Sequence, residues 1–353
     1  MSRTFCCLLL MVLPSCKGGA GSDDLVINPR DRDNAVVCFM YHRFGDARFP
    51  ATNISTSDFE SHLRYLKENG FVVLTFSAAM ELLWSDTPAK KVAVITIDDG
   101  YKSFYDRGLP LLKKYNMPAT LFINTETVGS ADYMSWEDLK NAMGSGVEVG
   151  NHTHSHAHFM NEEAAVRYDR FEADIVKSRK IISEQLGITP EIFAYPYGEF
   201  DKGMKRVVKN AGFKYAAVQH SGVAYAGTDP YQIPRFPMAE AYAGLKDFAG
   251  KASMLPLKVV RQTPDDTVLP DGNKRPELRL TVQNEGLQTN RMQCFVQGGA
   301  CELEITEENA DEVVVIVRTA AELSRRRTLF TVTVPDSSGA WHWYSHLWIN
   351  RER

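Results

Sequence analysis

Three scarcities bound this chain of 353 residues before any motif is read. It has no apolar run of bilayer length: Phe5–Leu13, near the N-terminus, falls well short of the roughly 20 residues that a membrane-spanning helix needs. It has little net charge, −4 from 40 Lys+Arg against 44 Asp+Glu. No basic run resembles a phosphate-binding footprint, which excludes nucleic acid as an expected partner. Cysteine is also sparse. Of six, Cys6, Cys7 and Cys16 sit at the extreme N-terminus, leaving Cys38, Cys294 and Cys301 for the body of the chain. What the chain does have is apolar material: 44% hydrophobic content suffices for a barrel-sized core and a smaller second domain, since single cores stop growing near about 250–300 residues.

The N-terminal run follows Arg3 and precedes Ser15-Cys16 and a Gly/Asp-rich stretch, the layout of a secretory signal. "LPSC" resembles a bacterial lipoprotein box, which implies lipidation of Cys16; Pro14 departs from that pattern and leaves ordinary cleavage open. The expectation is a signal peptide over 1–15, a linker over 16–33, and an exported, periplasmic or cell-surface monomer tethered to the membrane through Cys16.

From residue 34 to 252, short apolar strands alternate with amphipathic helices. "AVVCFM", "FVVLTF", "VAVITI", "ATLFIN", "VEVG", "EIFAY" and "YAAVQ" are strands. Helices fall between them, the first capped by Ser57 with Glu60, another running from an Asn161 cap to Leu186. That alternation predicts an α/β fold, a parallel sheet covered by helices and closed into a deformed barrel. Over 253–353 the pattern changes to short alternating strands with turns between them, predicting an all-β sandwich set apart from the chemistry. Cys38 reads as a buried small hydrophobe. Cys294 and Cys301 bracket a Gly298-Gly299 turn and form either a disulfide or two core thiols. In "WHWYSHLW", Trp341, Trp343, Tyr344 and Trp348 either stack on sugars or fill one face of a strand.

Functional groups of an α/β barrel sit where strands end. "ITIDDG" ends in Asp98 and Asp99, "VEVGNH" in Asn151-His152, "FAYPYG" in Tyr195-Pro196-Tyr197-Gly198, and "AVVCFMYH" in Tyr41-His42. Adjacent carboxylates at a strand end can divide their work, one binding a metal and the other taking a proton from water. "GNHTHSHAHF" offers two H-[ST]-x-x-H readings, His152 with His156 and His154 with His158, and spacing does not separate them.

"TIDDG", "HTHSH" and "YPYG", in that order and on those strands, resemble the polysaccharide deacetylase family with the NodB homology domain, carbohydrate esterase family 4. The resemblance covers about 35–250. It implies removal of acetyl groups from amino-sugar polymers and one divalent metal, commonly zinc with cobalt, nickel or iron as alternatives. The metal would be held by Asp99, His152 and His156, with Asp98 as general base. Strand position agrees with that register, since "VEVGN" delivers His152 to the rim while His154 and His158 lie farther along the loop.

The chain also departs from the family. Ala194 replaces the Arg of the Arg-x-Pro-Tyr motif; Tyr197 remains, and its N–H is expected to assist an oxyanion. Arg235, in Pro-flanked "QIPRFPM", is the candidate substitute partner for Asp98. The family's Leu-x-His acid is missing, so His220 is expected to reprotonate the amine, with His42 second. "FMYH", "YPYGEF" and "PRFPM" resemble the branch containing exported poly-N-acetylglucosamine deacetylases. An O-acetyl esterase and a non-catalytic polysaccharide-binding protein stand as the alternatives.

Overall fold

The computed structural model describes residues 34–87, 91–270 and 272–352. The expected leader, the linker and Cys16 lie outside the described residues. Among the described residues no helix is long and apolar enough to cross a membrane.

The apolar runs build a nine-stranded sheet. Its hydrogen-bonded order is Val223–Tyr225, Ala35–Tyr41, Val92–Asp99, Ala119–Ile123, Val147–Asn151, Ile192–Ala194 and Tyr215–Ala217, with Val72–Leu74 and Phe236–Pro237 pairing off this path. The main path is parallel except where Val223–Tyr225 runs antiparallel to Ala35–Tyr41. The sheet is curled. Val36, Cys38 and Val94 share one buried cluster with Ala194, Ala217 and Ile233 from the far side of the strand order, and the helix Phe76–Leu83 fills the space among them through Phe76, Ala79, Met80 and Leu83. Burial there pushes the Cys38 thiol up to about 12, so it stays a neutral apolar filler. The opposite face packs on the helices Thr56–Glu68, Trp136–Met143 and Leu245–Ala252.

A short seam closes the curl. Ile233 N–H donates to Ala216 O at 2.9 Å, Val218 N–H to Ile233 O at 3.0 Å and Arg235 N–H to His220 O at 3.0 Å. Phe236–Pro237 then pairs with Phe39 and Met40 of the first strand. Pro234 and Pro237 have no N–H to give, so this thin, intermittent stitching replaces a full ladder. It produces the deformed barrel and puts Arg235 at its centre.

Helix starts differ from the sequence expectation in two places. The first helix is capped by Ser55, whose hydroxyl accepts from Asp58 N, not by Ser57 with Glu60. Both pairs satisfy the same S-x-x-acid spacing, and Phe59, His62, Leu63 and Leu66 form the buried face of the helix that results. Asn161 lies in a 3-10 turn, and the long helix Ala164–Leu186 starts after Glu163.

The C-terminal strands form two four-stranded sheets. One has the order Leu255–Pro256, Trp341–Ile349, Arg327–Pro335, Gln293–Val296; the other has Val259–Thr263, Glu277–Gln283, Glu312–Thr319, Cys301–Glu308. Leu280, Val315 and Val317 of one face Phe330, Val332 and Trp348 of the other, the sandwich arrangement. Cys294 and Cys301 form a disulfide that ties one sheet to the other.

One expectation is corrected here. The sandwich does not stand apart, because the described residues form one compact unit. Its strand Trp341–Ile349 is buried on both faces: Tyr344 and Trp348 enter the sandwich core, while Leu347 and Ile349 pack with Phe193 and Tyr195 of the barrel and Trp343 meets Phe236 edge-on at 5.3 Å. Trp343, Tyr344 and Trp348 therefore serve packing, the strand-face alternative that the pattern left open beside sugar stacking. Trp348→Ala should cost about 3 kcal/mol or more, seen as a lower urea midpoint; an unchanged midpoint would contradict this placement.

Candidate active site

Adjacent residues on a regular strand face opposite ways, yet Asp98 and Asp99 both serve the same rim. Asp98 continues the strand and points inward, fully buried. Asp99 takes a left-handed backbone, φ 74°, which turns its carboxylate towards the histidine loop. Gly100 follows at φ 79° against Ile123, a conformation that favours glycine.

Arg235 and Asp98 meet in a bidentate pair, Nη1 to Oδ1 at 2.7 Å and Nη2 to Oδ2 at 2.8 Å, with neither side chain exposed. Two further donors of the guanidinium are used: Nε donates to Val218 O at 2.9 Å and Nη1 to Thr96 Oγ1 at 3.1 Å. Burial alone would raise the Asp98 carboxyl, but Arg235 and His152 outweigh it and hold it below the usual carboxylate range. Asp98 is therefore ionised and fixed in rotation.

Beside it, Asp99 Oδ1, His152 Nε2 and His156 Nε2 form a triangle with sides of 3.5, 3.3 and 3.2 Å. Donors at about 2.0–2.1 Å from a tetrahedral zinc lie about 3.3–3.4 Å from one another, so the donor set fits a divalent cation without rearrangement. His152 is prepared for that role. Its Nδ1–H donates to Ala194 O at 2.7 Å, which fixes the tautomer and leaves Nε2 as the ligand atom. Burial and the neighbouring His152 push His156 down to about 4, so its ring is neutral. Burial would raise Asp99, but its hydrogen bond with His152 and the histidines around it hold it low.

The loop achieves this with backbone that most residues avoid. Asp99, Thr153, His156 and Tyr197 all have φ between 52° and 74°. Thr153 Oγ1 accepts from His156 N at 3.0 Å, and Asn151 Oδ1 accepts from Thr153 N at 2.8 Å. Those contacts hold an unfavourable turn that clustered site residues commonly require.

The other two histidines are drawn away from the triangle. His154 Nδ1 meets Thr125 Oγ1 at 2.8 Å. His158 stacks on the Tyr197 ring, 3.6 Å between centroids with planes at 8°, and its Nδ1–H donates to Glu199 Oε2 at 3.3 Å. Spacing gave no sign of the His158–Tyr197 stack. Tyr197 has its hydroxyl on His156 O at 3.2 Å, and among the described residues no acceptor takes its N–H. His42 is half-buried just past the end of the strand Ala35–Tyr41, close to Asp98, Asp99 and His156. His220 is placed otherwise than expected. Its ring lies 6.5 Å from that of Phe200, its buried Nδ1 has no partner among the described residues, and it neighbours His346 of the sandwich. Burial holds it down at about 4. The sandwich covers the flank that His220 occupies, and no described contact links it to the two aspartates.

The sandwich also supplies two side chains that sequence reasoning missed. Arg326 grips Glu199 with Nε on Oε1 at 2.6 Å and Nη2 on Oε2 at 2.7 Å. Arg327 Nη1 donates to Tyr197 O at 2.5 Å.

Fold and site together define a class: a curled β/α barrel whose rim sets a triangle of donors that could hold a metal ion beside a buried carboxylate. Residues 85–216 match the polysaccharide deacetylase family. The chain is 27% identical over 242 residues to the poly-beta-1,6-N-acetyl-D-glucosamine N-deacetylase of Staphylococcus aureus, covering 62% of this chain and 83% of that one. IcaB from Ammonifex degensii superposes with a TM-score of 0.55 at 26% identity, over 62% of this chain and 97% of its own. Deacetylase PplD of Streptococcus pyogenes, in complex with acetate, shares the fold with a TM-score of 0.57 at 22% identity, over 62% and 98%. Arg235 and His42 lie outside the matched residues 85–216.

His152→Ala and His156→Ala should lose bound metal on dialysis, while His154→Ala and His158→Ala retain it. Metal analysis of the purified variants checks this, and metal loss in the second pair alone would reverse the register.

Proposed function

We propose that the chain is a divalent-metal-dependent N-deacetylase of an exported amino-sugar polysaccharide of the poly-N-acetylglucosamine class, releasing acetate and leaving a free amine on the polymer. The observation that carries this reading is an ionised carboxylate, Asp98, rotationally locked beside a separate donor triangle. A module that only bound glycan would have no use for it.

Asp99, His152 and His156 would hold the cation, and two imidazoles with one carboxylate suit zinc. When bound, such an ion polarises an acyl carbonyl and acidifies water. Asp98 accepts the proton of the attacking water at its carboxylate, and Arg235 keeps that carboxylate aimed and anionic until then. The Tyr197 N–H is available to the developing oxyanion. His42, on the same rim, delivers a proton to the departing amine nitrogen. Water and amide thus become acetate and amine with no group consumed.

Export through the N-terminal leader and tethering through Cys16 agree with such a substrate, which lies outside the cytoplasm. The family match and the identity to the staphylococcal enzyme support amino-sugar polymer over other glycans.

Asp98→Asn should lower kcat for acetate release from N-acetylglucosamine oligomers by about 10²–10⁴-fold with metal content unchanged. Absence of acetate release by the metal-loaded wild-type protein would sink the reading. Faster release from O-acetylated xylan would make the chain an esterase.

A further inference from the structure

The turn Pro196–Gly198 bears Tyr197 in a left-handed backbone, φ 58°, followed by Gly198 at φ 68°. A non-glycine residue there costs free energy and persists only where its surroundings hold it. Within the barrel its holders are few: Gly198 N–H donates to Tyr195 O at 2.9 Å, and the Tyr197 hydroxyl reaches His156 O. The rest come from the sandwich. Arg327 Nη1 holds the Tyr197 carbonyl. Arg326 grips Glu199, which is almost fully buried, and Glu199 in turn holds His158 flat against the Tyr197 ring.

These two arginines are themselves anchored. Arg327 begins the strand Arg327–Pro335 and pairs with Ile349, and Asn350 N–H donates to Arg326 O at 2.7 Å. Ile349 packs with Phe193 and Tyr195, the residues that lead into the turn. Arg326 Nη1 also reaches Asn161 Oδ1 at 2.6 Å, just beyond the histidine loop. One edge of the sandwich therefore touches both loops that converge on the triangle.

We infer that Arg326 and Arg327 are positioning residues for the deacetylase site: the sandwich acts as a clamp that sets the Tyr197 peptide, by way of Glu199 and His158, so that its N–H faces the reacting acyl group. The inference rests on the hydrolytic reading above and adds that the C-terminal sheets belong to the catalytic unit. It accounts for Glu199, a buried carboxylate that neither the metal triangle nor the proton relay uses. A bidentate arginine is suited to the task because its fork fixes the carboxylate in rotation as well as in distance, which lysine does not.

The test uses the full chain, metal-loaded, with N-acetylglucosamine oligomers as substrate. Arg326→Ala and Arg327→Ala should each lower kcat about tenfold, a fraction of the hundredfold or more that a whole oxyanion donor contributes. KM should stay within about twofold and metal content should stay unchanged, because catalysis gains only from contacts made in the transition state. Arg326→Lys keeps the charge but not the fork, and should fall between Arg326→Ala and wild type. If Arg326→Ala unfolds the chain, Arg326→Lys and Arg327→Ala carry the test. Folded variants with wild-type kcat would overturn the clamp while leaving the deacetylase reading intact. A rise in KM alone would overturn it too, by making the arginines a substrate contact. An inactive wild-type protein would instead strike the underlying reading.

Discussion

The buried pair of Asp98 with Arg235 is the constraint on which the rest depends. Two charges withdrawn completely from water are tolerated only with full hydrogen bonding, and here every oxygen of Asp98 and every nitrogen of the guanidinium has a partner. Removing one partner from such a pair costs about 3–5 kcal/mol, because the other charge is stranded. Arg235 is placed by the seam that closes the curled sheet, between Pro234 and Pro237. Closure of the barrel and ionisation of Asp98 are thus one event, and a sheet that failed to curl would leave the carboxylate without its counter-charge.

Around that pair, the site is assembled from bends rather than from regular elements. Asp99, Thr153, His156 and Tyr197 each hold a left-handed backbone, and each bend is secured by a specific partner: His152 and His156 for Asp99, Asn151 for Thr153, Thr153 for His156, the sandwich arginines for Tyr197. Strain at these positions is offset by a rigid frame on both sides, helices on one flank and the strand Trp341–Ile349 on the other.

Sequence reading reached the strands, the barrel and the sandwich because alternation of apolar runs reports burial directly. It also reached the residues of the triangle, since a strand leading straight into His152 decides which of two identical spacings meets Asp99. The substitution of Ala194 for an expected arginine was legible as a missing charge, and Pro-flanked Arg235 was legible as a candidate to replace it. Helix caps were ambiguous because Ser55–Asp58 and Ser57–Glu60 overlap. His220 was misread because what covers it is the sandwich, and one-dimensional order does not say which flank a second domain occupies. Arg326 and Arg327 were invisible for the same reason: no local pattern ties them to Tyr197, some 130 residues earlier.

The central claim is that Asp98 and Arg235 act as one unit in proton abstraction. A double-mutant cycle on acetate release, with Asp98→Asn, Arg235→Gln and the pair combined in the full metal-loaded chain, tests it most directly. Each single substitution should depress kcat, and adding Arg235→Gln to Asp98→Asn should cost little more, because the arginine has no carboxylate left to aim. If the two losses instead multiply in full, Arg235 serves the reaction by another route and the account of the pair is wrong.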